Sequence, residues 1–238
     1  MKKKFVKALA GSLLAAVLFV ACSKDDAAPQ QDARVMLVNA SPGDSVPYDF
    51  YFNDVKLNTQ SSVTYPANSG YLTLKPGNYT VKVAAVNTIN PLSSGSYGIG
   101  SGKSYSVFSY DTVAAGKAKV FAVEDDLSAP ATGKAKVRFF HLSPVNLAVD
   151  ILANDSVVFA NRSYADNVAN NAKAGFISVN AGTYTVKVKL AGSGNNISPL
   201  LTLNNISFSD GRIYTIFAKG KVNGTGVNAL GAEVIINK

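Results

Sequence analysis

The chain has 238 residues, enough for one large domain or two of ordinary size. Apolar residues make up 47% and charged ones 16%, which allows a packed core and excludes a chain that is disordered throughout. The formal charge is +8, but four of the 23 basic residues (Lys2, Lys3, Lys4 and Lys7) precede the first apolar run. Without them, 19 basic side chains face 15 acidic ones and are scattered along the chain. A nucleic-acid footprint needs basic residues gathered on a stripe or helix, so no nucleic-acid partner is expected.

Lys2 to Lys7 form a positive segment, followed by an apolar stretch from Ala8 to Ala21. That stretch is about fourteen residues, short of the roughly 20 that cross a bilayer as a helix, so residues 1–21 read as a cleaved signal peptide. It ends in Phe19-Val20-Ala21-Cys22, which resembles the lipobox of bacterial lipoproteins. Such a box needs a small residue before the cut and then a Cys whose thiol takes a diacylglyceryl group; Phe19 stands where Leu is usual. Cys22 is the only cysteine, so no disulfide is available, and an ordinary free thiol is the alternative reading. Each buried methylene of an acyl chain contributes about 0.8 kcal/mol, so two or three chains anchor firmly. The resemblance implies a lipid bilayer as partner through acylated Cys22.

Residues 22–32 are rich in Ala, Pro and Gln and read as a flexible tether. Within them Lys24, Asp25 and Asp26 resemble the export signal that sends Bacteroidetes-type lipoproteins to the outer face of the outer membrane. A solvated charged spacer would look the same. The expected location is the outer membrane at the cell surface, with the periplasm-facing leaflet as alternative.

The remainder is an internal repeat. Pro76-Gly-Asn-Tyr-Thr-Val-Lys-Val83 matches Ala181-Gly-Thr-Tyr-Thr-Val-Lys-Val188 at six of eight positions. Val35 to Pro42 parallels Val137 to Pro144, Asp49 to Asp54 parallels Asp150 to Asp155, and Gly102 to Phe108 parallels Gly211 to Phe217, in the same order. This divides the chain into repeat 1 at 33–127, a Pro/Gly linker at 128–134 and repeat 2 at 135–238. Tyr79, Val81 and Val83 alternate with Thr80 and Lys82, the period of a strand with one buried face. Asn53-Asp54 reads as a tight turn, and Pro76-Gly77 and Gly182 mark turns into the strongest strand. The class is all-β: two tandem antiparallel β-sandwiches of about seven strands, each expected to fold alone.

Gly-x-Tyr-x-Val places Gly77, Tyr79, Gly182 and Tyr184 where immunoglobulin-like domains have a tyrosine corner, with Val81 and Val186 in place of a Cys. No Trp is present, so a true immunoglobulin domain is excluded. Residues 33–238 resemble two copies of domain-of-unknown-function family 4397. The resemblance implies an envelope lipoprotein with immunoglobulin- or transthyretin-like sandwiches and brings no activity with it.

Candidate sites are few. His141 is the only histidine, at the position of Asn39 in the first copy, and reads as a strand or edge residue. One His without a free Cys supplies neither a metal site nor a nucleophilic triad, so no metal and no cofactor are expected. Asp49 and Asp150 read as side-chain to backbone bonds at the following turn. Glu124-Asp125-Asp126 lacks the spacing of a calcium loop and reads as a solvated strand end. Asp44-Ser45-Val46, Asp111-Thr112-Val113 and Asp155-Ser156-Val157 resemble an O-glycan acceptor pattern at Ser45, Thr112 and Ser156. The segment Ser163 to Ala174, absent from the first copy, reads as an exposed Asn-rich loop and the place for specificity. Asp166 and Asp210, in loops of the second copy, are the one carboxylate pair considered for glycosidase chemistry. The expected function is therefore non-catalytic: two displayed sandwiches for adhesion or for binding an unknown glycan or protein. The alternatives are a structural accessory subunit of an envelope complex, or a glycan hydrolase.

Overall fold

A computed structural model describes residues 30–43, 46–111, 118–169, 171–194 and 197–238. The first copy carries β1 (Ala33–Asn39), β2 (Tyr48–Phe52), β3 (Val55–Lys56), β4 (Ala67–Leu74), β5 (Gly77–Ala85), β6 (Pro91–Ile99), β7 (Ser104–Tyr110) and β8 (Lys119–Glu124). The second carries β9 (Lys134–His141), β10 (Val149–Ala153), β11 (Ser156–Arg162), β12 (Ile177–Asn180), β13 (Gly182–Leu190), β14 (Leu201–Phe208), β15 (Ile213–Lys219) and β16 (Gly231–Ile236). Between β11 and β12 lie a short helix, α1 (Asp166–Ala169), and a 3₁₀ turn at Asn171–Ala174.

Each copy folds as two four-stranded sheets, β4-β1-β7-β8 over β3-β2-β5-β6 and β12-β9-β15-β16 over β11-β10-β13-β14. Among the described residues each copy has eight strands, where about seven were expected. All pairings are antiparallel except β1 with β7 and β9 with β15, which run parallel. The turn after β2 has Asn53 and Asp54 at φ 48° and 67°, and its counterpart has Asn154 and Asp155 at 48° and 65°. Two successive left-handed residues make the turn whose twist matches a hairpin, and Asn and Asp tolerate that region best. Asn53 and Asn154 then accept from the amides of Thr80 and Thr185 at 2.8 and 2.9 Å, tying each hairpin to the next strand.

Inside the first sandwich, Val35, Leu37, Phe50, Val81 and Val83 pack together; Val137, Phe139, Ile151, Val186 and Val188 do the same in the second. A third apolar cluster lies between the copies. Met36, Val38, Phe108 and Phe121 from one meet Phe140, Phe217 and Ile235 from the other. Phe108 stands edge-on to Phe140 at 5.3 Å and to Phe217 at 6.2 Å. The sandwiches are therefore stacked through their inner sheets. The stacking explains a sequence feature: strands buried on both faces read as unbroken apolar runs, and Val35-Met36-Leu37-Val38 is one.

A buried polar network is set into the same interface. Arg138 is fully buried and its Nη2 lies 2.5 Å from Asp125 Oδ1. The guanidinium also donates through Nε to Thr215 Oγ1 at 2.8 Å and through Nη2 to Ser106 Oγ at 3.3 Å. Tyr71 and Ser106 donate to the other oxygen of Asp125, and Asn237 donates to Tyr71 at 3.2 Å. Asp125 is thus a buried interdomain anchor, and the expectation of a solvated strand end fails for it. Its neighbours Glu124 and Asp126 do face solvent, paired with Lys103 and Lys136.

Candidate functional site

Cys22, Lys24, Asp25, Asp26, Ser45 and Thr112 lie outside the described residues. Ser156 opens β11 and is exposed. The Tyr79 hydroxyl donates to the Lys75 carbonyl and the Tyr184 hydroxyl to the Asn180 carbonyl, both at 2.8 Å, so each ring bonds to backbone four residues upstream. A Cβ on Gly77 would meet the Tyr79 ring at 3.6 Å: the ring lies over the glycine. Both tyrosines are half-buried rather than enclosed.

Asp49 and Asp150 turn out to do different things. Asp49 is buried and takes Lys56 at 2.8 Å, Ser62 at 2.6 Å and Asn58 at 3.2 Å. Burial raises its pKa, but those partners outweigh it and hold the carboxyl below its ordinary value. Asp150 accepts from the amides of Asn161 on β11 and Gly192 after β13, so it does bond to backbone, but not at its own turn.

The 163–174 segment is not simply an exposed loop. Ala174 is buried in the interdomain cluster, with Tyr164 and Ala165 packed against it. Asp166 is clasped by Arg162 at 3.2 Å and Lys173 at 2.8 Å. Burial raises the Asp166 pKa, but those cations win and keep it low, the wrong direction for a general acid. Nor does it face Asp210. Ala165, beside Asp166, bonds to the His141 end of β9, while Gly211, beside Asp210, bonds to the Lys134 end. An eight-residue strand puts those ends roughly 23 Å apart. Glycosidases need about 5–10 Å.

His141 ends β9 and is 2% exposed. Its Nε2 lies 3.1 Å from the Leu147 carbonyl, which can only accept, so Nε2 carries the proton and Nδ1 is an acceptor. Nδ1 is buried without a hydrogen-bond partner. Burial pulls the ring's pKa below 6.5, against the Leu147 carbonyl and Asp166, so the ring is neutral at neutral pH.

This histidine belongs to the wall of an apolar pocket of about 90 Å³ in the second sandwich. Ser143, Val149, Val188 and Ala218 share the wall, and Leu147, Leu200, Val222 and Leu230 form the rim. The rim side chains are 46–60% exposed, an uncovered aliphatic patch. The pocket opens where the edge strands β14 and β16 begin, at Leu201 and Gly231. In the first copy the corresponding edges, β6 and β8, close on each other, and the Tyr97 hydroxyl on β6 donates to the Val120 carbonyl on β8 at 2.7 Å. By its pairing opposite Tyr184, Ile206 occupies the place of Tyr97, and no comparable approach joins β14 to β16 among the described residues. An aliphatic side chain cannot make that latch, so the second sandwich stays open.

The pocket's position in the block follows from the interdomain contacts. Tyr71 with Asn237, and Ser106 with Arg138, join the starts of the inner strands. Gly43 with Asn228, and Tyr65 with Gly220, join the far ends. The pocket therefore lies at the end of the block opposite Ala33.

Residues 33–152 match the model of the family described as domain of unknown function (DUF4397), and the chain belongs to that family. Among solved structures, the CBM26-family module CBMbc of Eubacterium rectale Amy13K, crystallised with maltoheptaose, is 12% identical with a TM-score of 0.26, over 85% of this chain and 96% of that one. The Bacillus anthracis TIE protein is 13% identical with a TM-score of 0.22, over 81% of this chain and 34% of that one. At this level of superposition neither protein's properties carry over. No curated protein matches the sequence.

Nothing in the repeat comparison pointed to the pocket. The one available signal was isolated aliphatics in polar loops (Leu147, Leu200, Val222 and Leu230), which a reader takes for loop filler.

Proposed function

We propose that this is a non-catalytic, lipid-anchored binding protein of the bacterial envelope, held at Cys22 and binding an apolar group in the pocket of its second sandwich. The observation that carries the reading is that pocket, with an exposed aliphatic rim, at the end of the block opposite Ala33, where the tether arrives. A protein anchored through that tether holds the pocket away from the bilayer. Lys24-Asp25-Asp26 supports display at the cell surface rather than in the periplasm. The rim offers aliphatic side chains, not an aromatic face flanked by hydrogen-bonding groups, which favours an apolar ligand group over a sugar ring.

The test is a titration of methyl-labelled protein with isobutanol. Saturable shifts confined to Val149, Val188, Leu200 and Leu201 are expected; no saturable shift at these methyls would end the reading. Anchoring is tested separately: Cys22→Ala should accumulate unprocessed precursor, and normal processing with membrane retention would count against it.

A further inference from the structure

We infer that the occupant of this pocket is an extended segment of a partner protein, one aliphatic side chain seated in the cavity and its backbone lying between the edges of β14 and β16. The inference rests on the binding role proposed above and names the partner's chemistry. Cavity size is the first argument. A volume of about 90 Å³ suits a Leu- or Ile-sized group and not the length of a fatty acyl chain. The second is what flanks it. β14 and β16 are both outer strands, so each carries a row of backbone amides and carbonyls that no neighbouring strand pairs among the described residues. An extended peptide offers the complementary row; an alcohol or a lipid tail does not.

Area gives the third argument. Leu147, Leu200, Val222 and Leu230 together expose on the order of 350 Å², well under the ~800 Å² per partner of a standard protein interface. An apolar area of that size suits a short segment.

The experiment uses the full mature chain with the blocked peptide acetyl-Thr-Thr-Leu-Thr-Thr-amide, its Gly-for-Leu version, isobutanol and palmitate. Amide hydrogen exchange and methyl shifts are both read. The Leu peptide should bind at least tenfold more tightly than isobutanol and slow exchange at edge amides of β14 or β16. The Gly peptide should bind at least tenfold more weakly than the Leu peptide. Gly231→Leu should abolish peptide binding with the melting temperature kept, because a Cβ at Gly231 meets nothing nearer than 3.5 Å. Isobutanol binding without a tighter Leu peptide, or without slowed amides, overturns this inference and leaves the pocket reading standing. Palmitate displacing the peptide at lower concentration overturns it in favour of an acyl chain. Failure of every probe removes both.

Discussion

At the scale of single residues, the two copies bring unlike polar residues to the interface they share. Met36 and Arg138 occupy the same repeat position, as do Ser106 and Thr215. Strand pairing places Asp125 and Asn237 as counterparts one residue past β8 and β16. One copy thus brings Met and Asp to the interface, the other Arg and Asn, and the charged pair forms across it. Breaking a buried pair by removing one partner strands the other charge, typically at 3–5 kcal/mol, while replacing both can be nearly neutral. Asp125→Ala should therefore lose about 3–5 kcal/mol in chemical denaturation. Asp125→Asn with Arg138→Met, which installs each copy's residue in the other, should return to within about 1 kcal/mol of wild type. A double variant as unstable as the single one would show that the network does more than neutralise Arg138. None of this was legible beforehand. Glu124-Asp125-Asp126 looks like a solvated strand end, and an Arg within an apolar run looks like its exposed face.

At the scale of elements, the sequence was most legible where strands have one wet face. β5 and β13 alternate cleanly, and the buried residues fall on the phase read from the pattern, with Val81, Val83, Val186 and Val188 inside. The Asn-Asp turns were equally readable, because few residues accept two left-handed positions in succession. The inner strands were harder. Their double burial removes the alternation, and Ser106, Ser109 and Thr215 are buried polar residues rather than solvent-facing ones. The tyrosine positions were found, but their rings are only half-buried. Full enclosure would make Tyr→Ala cost about 3–5 kcal/mol. With each tyrosine part-exposed and its hydroxyl making one bond of about 1 kcal/mol, Tyr79→Ala and Tyr184→Ala should each cost roughly 1.5–3 kcal/mol. Losses below about 0.5 kcal/mol at both sites in urea melts would mean the corner does not hold its strand.

At the scale of the whole molecule, duplication has produced one body with two unlike ends and two unlike copies. The first sandwich is latched along one side by Tyr97; the second is open there and carries the pocket. Holding that pocket in a fixed place requires the copies to move as a unit, which the shared cluster of Phe108, Phe121, Phe140 and Phe217 provides. Separate expression of 33–127 and 135–238 would expose those rings and leave Asp125 and Arg138 each alone. The most direct measurement is native-state amide hydrogen exchange on the full mature chain, compared with Asp125→Ala. If the copies form one cooperative unit, the amides of Leu37 and Val107 should open with the same free energy as those of Phe139 and Ile216, and the substitution should lower all four equally. Lowered protection in one copy, with the other unchanged, would show two independent domains and contradict the account.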